Sequence, residues 1–187
     1  MRVEPGGRSE IRRVRIPGSD VASADAIATP PHVKTARSRR FAVLGAAILE
    51  KLCRSSGMTV LSRKTTPYVI ATPRGNVAVS VVVSSIRGDP ASKHVIIPCT
   101  SMRSPRGVGD HVFVAAFVSK GSDETMSSGV DTNLAGWIPL GEVRRRASCN
   151  GRITSRLSIV TVPVRDLYGM NSLRGYVYGD KKKEDDK

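Results

Sequence analysis

The sequence predicts an α/β domain, a mixed central β-sheet with an N-terminal helix packed on it. Three observations carry that reading. The stretch SRRFAVLGAAILEKLCRSSG repeats apolar residues at helical spacing and stops at Gly57. After Gly57 the period becomes strand-like, with short β-branched runs divided by Pro and Gly. Among those runs NVAVSVVVSSIRG has Val at five of its first eight positions. A run so apolar is buried on both faces and belongs inside a sheet.

The elements follow in order. Residues 1–37 place Gly or Pro in VEPGGRSE, IPGSD and ATPPH, and apolar periodicity is limited to a short alternation in IRRVRIP. They are expected to form a flexible basic arm. Ser38 is a suitable N-cap for the helix, and Phe41, Leu44, Ile48 and Leu52 make its apolar stripe. Gly45, Ala46 and Ala47 allow close approach to a sheet. MTVLS is a short strand. PYVIAT and NVAVSVVVSS are separated by a hairpin-length turn at Pro73-Arg74-Gly75 and read as an antiparallel pair.

The next segment, RGDPASKHVIIPCTSMRSPRGVG, reads as a loop with a short apolar piece at Val95–Ile97. DHVFVAAFVS reads as a strand, and KGSDETMSSGVDTN as a polar loop. AGWIPLGEV reads as a short strand with a turn, RRRASCNGRITSR as a basic connection, and LSIVTVPVRDL as a strand ending in Pro. YGMNSLRGYVY closes a single domain over 38–178 as a turn of helix. Residues 179–187 are a solvated charged tail.

The 187 residues suffice for one hydrophobic core, and 40% hydrophobic with 25% charged residues suits a globular body. No apolar run approaches a membrane-spanning length, and no apolar region follows Arg2 and Arg8 as a secretory signal would require. Cys53, Cys99 and Cys149 are odd in number and far apart, so a disulfide framework is not expected and a cytoplasmic location is. His94, Cys99 and His111 invite a metal site, but their spacing matches no zinc pattern.

The net charge of +14 is the strongest global signal, with +5 in residues 1–40 and +9 in residues 41–178. A folded body so basic is suited to a polyanion, and nucleic acid is the commonest one. Arg87, Arg103 and Arg106 mark one basic loop, and Arg144, Arg145, Arg146, Arg152 and Arg156 another. Guanidinium groups pair bidentately with phosphate, so these residues are the candidate nucleic-acid contacts. With eight aromatic residues in all, Phe113, Phe117 and Trp137 in strand patterns, and Tyr176 and Tyr178 expected to be exposed, no base-stacking platform is visible. Duplex or otherwise structured backbone is the expected partner. Phosphate-binding loops, nucleophile elbows and zinc-protease motifs are absent, and the serines of SVVVSSIRG and TSMRSPRG have no His in evident partnership.

The element order, with SGMTVLSR, TPYVIATPRGNVAVSVVVSS, DHVFVAAF, GWIP and VTVPVRDL, resembles the restriction-endonuclease-like PD-(D/E)XK nuclease superfamily over about residues 38–170. Its archaeal and phage members, Holliday-junction resolvases among them, share this rhythm. Such nucleases hold Mg²⁺ beside the scissile phosphate with two acidic residues and a Lys on the hairpin, often with a Glu from the first helix. The resemblance places the first Asp at Val69, the Glu-x-Lys pair near Val81 and Val83, and the helix Glu near Leu44 to Ala46, none of which carries a suitable group.

It therefore implies a catalytically inactive scaffold with no cofactor, binding nucleic acid through its arginines. Related folds often form homodimers. Two alternatives remain. One is a working Mg²⁺-dependent nuclease with a displaced site drawn from Glu50, Asp89 or Asp110, the last two meeting at one end of the sheet. Against it, Asp89 beside Pro90 suits a turn and Asp110 a strand start. The other is a basic structural subunit of a nucleoprotein assembly.

Overall fold

The computed structural model describes residues 10–27, 36–62, 67–73, 75–98, 107–120, 128–149 and 159–179. They form an α/β structure with two sheets. The strands of the first are β1 (Arg12–Ile16), β2 (Thr59–Ser62), β3 (Tyr68–Ala71), β4 (Val77–Ile86), β6 (Asp110–Ser119) and β7 (Val130–Pro139), in the order β1-β7-β6-β4-β3-β2. This sheet is mixed. β4 and β6 run parallel from Val77↔Asp110 to Ile86↔Ser119, and every other neighbouring pair is antiparallel. The second sheet is a separate antiparallel ribbon of β5 (His94–Pro98) and β8 (Ile159–Pro163).

Strand alternation divides the core. One face of the large sheet, with Val77, Val79, Val112, Val114 and Val118, packs against helices α1 (Gly18–Ile27), α2 (Ala36–Ser56) and α4 (Leu173–Tyr178). The other, with Phe113, Ala115 and Phe117, packs against the inner face of the ribbon and helix α3 (Leu140–Cys149). Leu44 and Ile48 of the expected helical stripe are fully buried, while Phe41 and Leu52 sit at its margin.

Several expectations need correction. Residues 10–27 are not a flexible arm: β1 pairs with β7, and Val21 and Ala24 of α1 enter the core. The alternation in IRRVRIP was a strand signal, and its value was hidden by the Gly and Pro around it. Val95–Ile97 belongs to a full strand of a second sheet. β7 begins at Val130, inside the expected polar loop. Arg144, Arg145 and Arg146 lie on a helix rather than a connection. β4 is interior as expected, but only Val77, Ala78 and Val79 are buried on both faces, and the rest of the strand is half-buried. Among the described residues no helix is long and apolar enough to cross a membrane.

Candidate nucleic-acid interface

Of the eight candidate arginines, Arg87, Arg144, Arg145 and Arg146 fall on described residues, while Arg103, Arg106, Arg152 and Arg156 lie outside them. Arg87 is exposed just after β4. Arg144 and Arg145 are exposed on α3, and Arg146 is turned inward. Helical geometry explains the difference. Val143 and Leu140 fix the buried side of α3, and consecutive residues are rotated by about 100° around the axis.

Arg146 is committed to internal ties. Its Nε donates to Glu142 Oε1 at 3.0 Å and its NH1 to Asp166 Oδ2 at 2.7 Å, so it fastens α3 to the 3₁₀ turn at Val164–Asp166. Arg145 also pairs with Glu142. Burial works against the Glu142 carboxylate's charge, but hydrogen bonds from Arg145 and Arg146 hold it below the usual carboxylate range. For Arg146 burial opposes the charge, and Asp166 and Glu142 more than restore it, raising its pKa.

These groups, with His94, Thr161 and Pro163, line an open cleft of about 660 Å³ between α3 and the ribbon. A guanidinium has five N–H donors, so the exposed Arg145 keeps donors for an incoming phosphate oxygen. The sequence could not announce this cleft, because it depends on a ribbon formed by strands more than 60 residues apart in the chain, such as Ile97 paired with Val160.

The positions that the resemblance assigned to metal ligands can now be placed. Gly45 of α2 lies against β4: a Cβ there would stand 3.4 Å from the Val81 carbonyl oxygen and 3.6 Å from Val83 Cγ2. The helix position and the two strand positions are thus adjacent, in an apolar contact. Val69 does not share their face. Tyr68 and Ile70 point into the helix-side core with Val77 and Val79, and the strand period of two turns Val69 the other way.

The acidic candidates do not form a site. Asp110 is paired with Val77 at the start of the parallel strands, whereas Asp89 lies beyond their other end at Ile86. Strand rise separates those ends by about 30 Å, so the two carboxylates do not meet. Asp89 caps the 3₁₀ turn at Pro90–Ser92, accepting from Ala91 N at 3.0 Å. Asp110 Oδ1 accepts from His111 N at 2.7 Å, and Oδ2 accepts from the Tyr176 hydroxyl. Glu50 is a half-buried residue of α2. Among the described residues no group of three or more His, Cys, Asp or Glu is placed to hold a metal ion. His94 is exposed on the ribbon and His111 is buried in the sheet, while Cys99 lies outside the described residues.

One serine of SVVVSSIRG, for which no His stood in evident partnership in the sequence, does have one in the structure. Ser80 Oγ and His111 Nε2 are 2.9 Å apart across the parallel pair. His111 is 1% exposed and its ring lies 4.5 Å from Phe113. Burial, aided by the Arg144 charge and opposed by Asp110, lowers its pKa to about 4, so the imidazole is neutral near pH 7. The ring and the hydroxyl share one hydrogen bond in the core, while His111 Nδ1 is buried without a hydrogen-bond partner among the described residues. Tyr176, expected to be exposed, is half-buried and lies 4.5 Å from Trp137. Burial and its bond to Asp110 raise its pKa.

Comparison with protein-family models, with curated proteins and with solved structures gave no match.

Proposed function

We propose that this chain binds the phosphate backbone of duplex or structured nucleic acid, on a scaffold related to restriction-endonuclease-like nucleases that no longer supports metal-dependent cleavage. The observation that carries the binding half is the chain's net charge of +14, of which +9 falls in residues 41–178. Of the predicted contacts, Arg87, Arg144 and Arg145 are exposed and suited to it. Arg146 serves as the anchor of α3 instead. Arg103, Arg106, Arg152 and Arg156 lie outside the described residues.

The scaffold half is supported by element order: a helix ending at Gly57, an antiparallel meander β2-β3-β4, then β6 parallel to β4. It is supported further by the Gly45, Val81 and Val83 contact. Gly45 lies within the helix range, Leu44 to Ala46, that the resemblance assigns, Val81 and Val83 are the strand pair it assigns, and none of the three offers an oxygen or nitrogen side-chain ligand. An apolar contact there cannot hold a hard divalent cation, which requires oxygen donors.

The test is binding to duplex, branched and single-stranded probes with and without Mg²⁺ or Mn²⁺. Binding without cleavage is the expected outcome in every lane where a complex forms. Cleavage that requires the metal would instead favour a displaced nuclease site, and failure to bind any naked probe at low salt would favour a structural role within an assembly.

A further inference from the structure

We propose that the free flank of β4 is a docking edge for an extended, acidic segment of a partner protein, which adds to the sheet as a strand. The ladder between β3 and β4 ends at Val79, whereas the ladder between β4 and β6 continues to Ile86. Among the described residues Val81, Val82, Val83 and Ser84 therefore have no strand on the β3 side. Sequence explains why β3 stops. In the register Tyr68↔Val79, Pro67 would stand opposite Ser80, and proline has no N–H to donate.

The other edges of this sheet are protected. β1 carries Arg12, Arg13 and Arg15, with Arg13 and Arg15 paired to Asp131. β2 has four residues and an irregular register between Val60 and Ser62. Charge, shortness and irregularity are the usual defences against strand pairing. From Val81 to Ser84 β4 has none of them. It has no charge, no proline and no bulge, and it is held rigid by β6 on one side and by α2 across Gly45. A preformed, uncharged edge of β-branched residues is the geometry that strand addition uses.

Charge selects the occupant. A second copy would bring another body of +14 against the first, whereas an acidic segment is complementary to it and to the exposed Arg87 at the end of the flank. This proposal does not depend on nucleic-acid binding.

The test uses the full chain and capped eight-residue peptides, followed by fluorescence anisotropy and residue-resolved amide exchange. A peptide alternating valine and glutamate should bind and should slow exchange at the amides of Val81–Ser84 that face away from β6. The same peptide N-methylated throughout should not. A valine–lysine counterpart should bind at least about tenfold more weakly, since like charges now oppose. Ser84→Glu should weaken the acidic peptide by a similar factor and leave the Trp137 fluorescence unfolding midpoint unchanged; if that variant does not fold, the N-methylated peptide still decides. No protection by the acidic peptide, or equal protection by the lysine peptide, would overturn the proposal. So would slow exchange of these amides in the free chain. Loss of that protection on dilution would identify a second copy as the occupant, and its persistence would show that the chain covers its own edge.

Discussion

His111 shows what burial does to a single residue. It is a histidine held neutral in the core, hydrogen-bonded to Ser80 and packed on Phe113. Its folded-state pKa of about 4 lies below the ordinary 6.5. Protons therefore bind the unfolded chain more readily, and the protein should be most stable above pH 6.5. Stability should fall as pH drops towards 4, by an amount on the order of 3 kcal/mol, and level off below. Denaturant unfolding followed by Trp137 fluorescence across this range checks it, and His111→Gln should flatten that part of the profile.

Gly136 makes a second residue-level demand. Its φ is +140°, and a Cβ would fall 2.5 Å from the Tyr168 carbonyl oxygen and 2.8 Å from Leu167 Cβ. Gly136 N–Cα–C passes so close because Trp137 and Tyr168 exchange backbone hydrogen bonds of 2.9 Å. Gly136→Ala should cost roughly 2–5 kcal/mol, combining backbone strain with overpacking, and equilibrium denaturation measures it. Neither feature was legible in the sequence. Alternation puts Ser80 on one face of its strand and His111 on one face of another, but only the parallel register makes them neighbours. By contrast, the burial of Leu44, Ile48, Phe113 and Trp137 follows from local periodicity alone.

Elements were readable where one face is consistently apolar over several residues. That was true of α2, β4, β6 and β8. It failed for β1, whose five residues include three arginines because it is an edge strand. It failed for α3, where a run of arginines reads as a solvated connection until Leu140 and Val143 are seen to anchor it. The ties of α3 carry a prediction at this scale. Arg146→Ala removes the bond to Asp166 and one of the two guanidinium partners of Glu142. Those carboxylates are partly buried, so the loss should be about 1–2 kcal/mol, read as a lower unfolding midpoint. The same substitution on an exposed surface pair would change little. Arg145→Ala should therefore cost less stability than Arg146→Ala.

At the scale of the whole molecule the charge outlasts any single contact. Interactions with phosphate release counterions, so the chain's affinity should fall steeply and linearly on a log–log plot of binding against salt. Six phosphate contacts would cost about a thousandfold in affinity between roughly 50 and 200 mM salt. Arg87→Ala and Arg144→Ala should each weaken binding similarly for all sequences and make that slope shallower by about one, as loss of a backbone contact does. The α/β class and the mixed sheet were legible because each depends on pattern. The second sheet, the folded N-terminal strand and helix, and the separation of Asp89 from Asp110 were not, since each depends on which distant strands pair.

The most direct test of the central claim is a salt-titrated binding measurement on a structured duplex, with product analysis in the presence of Mg²⁺ or Mn²⁺. Tight binding at low salt, a steep loss of affinity as salt rises, and an intact probe in either metal are expected. A flat salt dependence, no binding at low salt, or metal-dependent strand cleavage would contradict it.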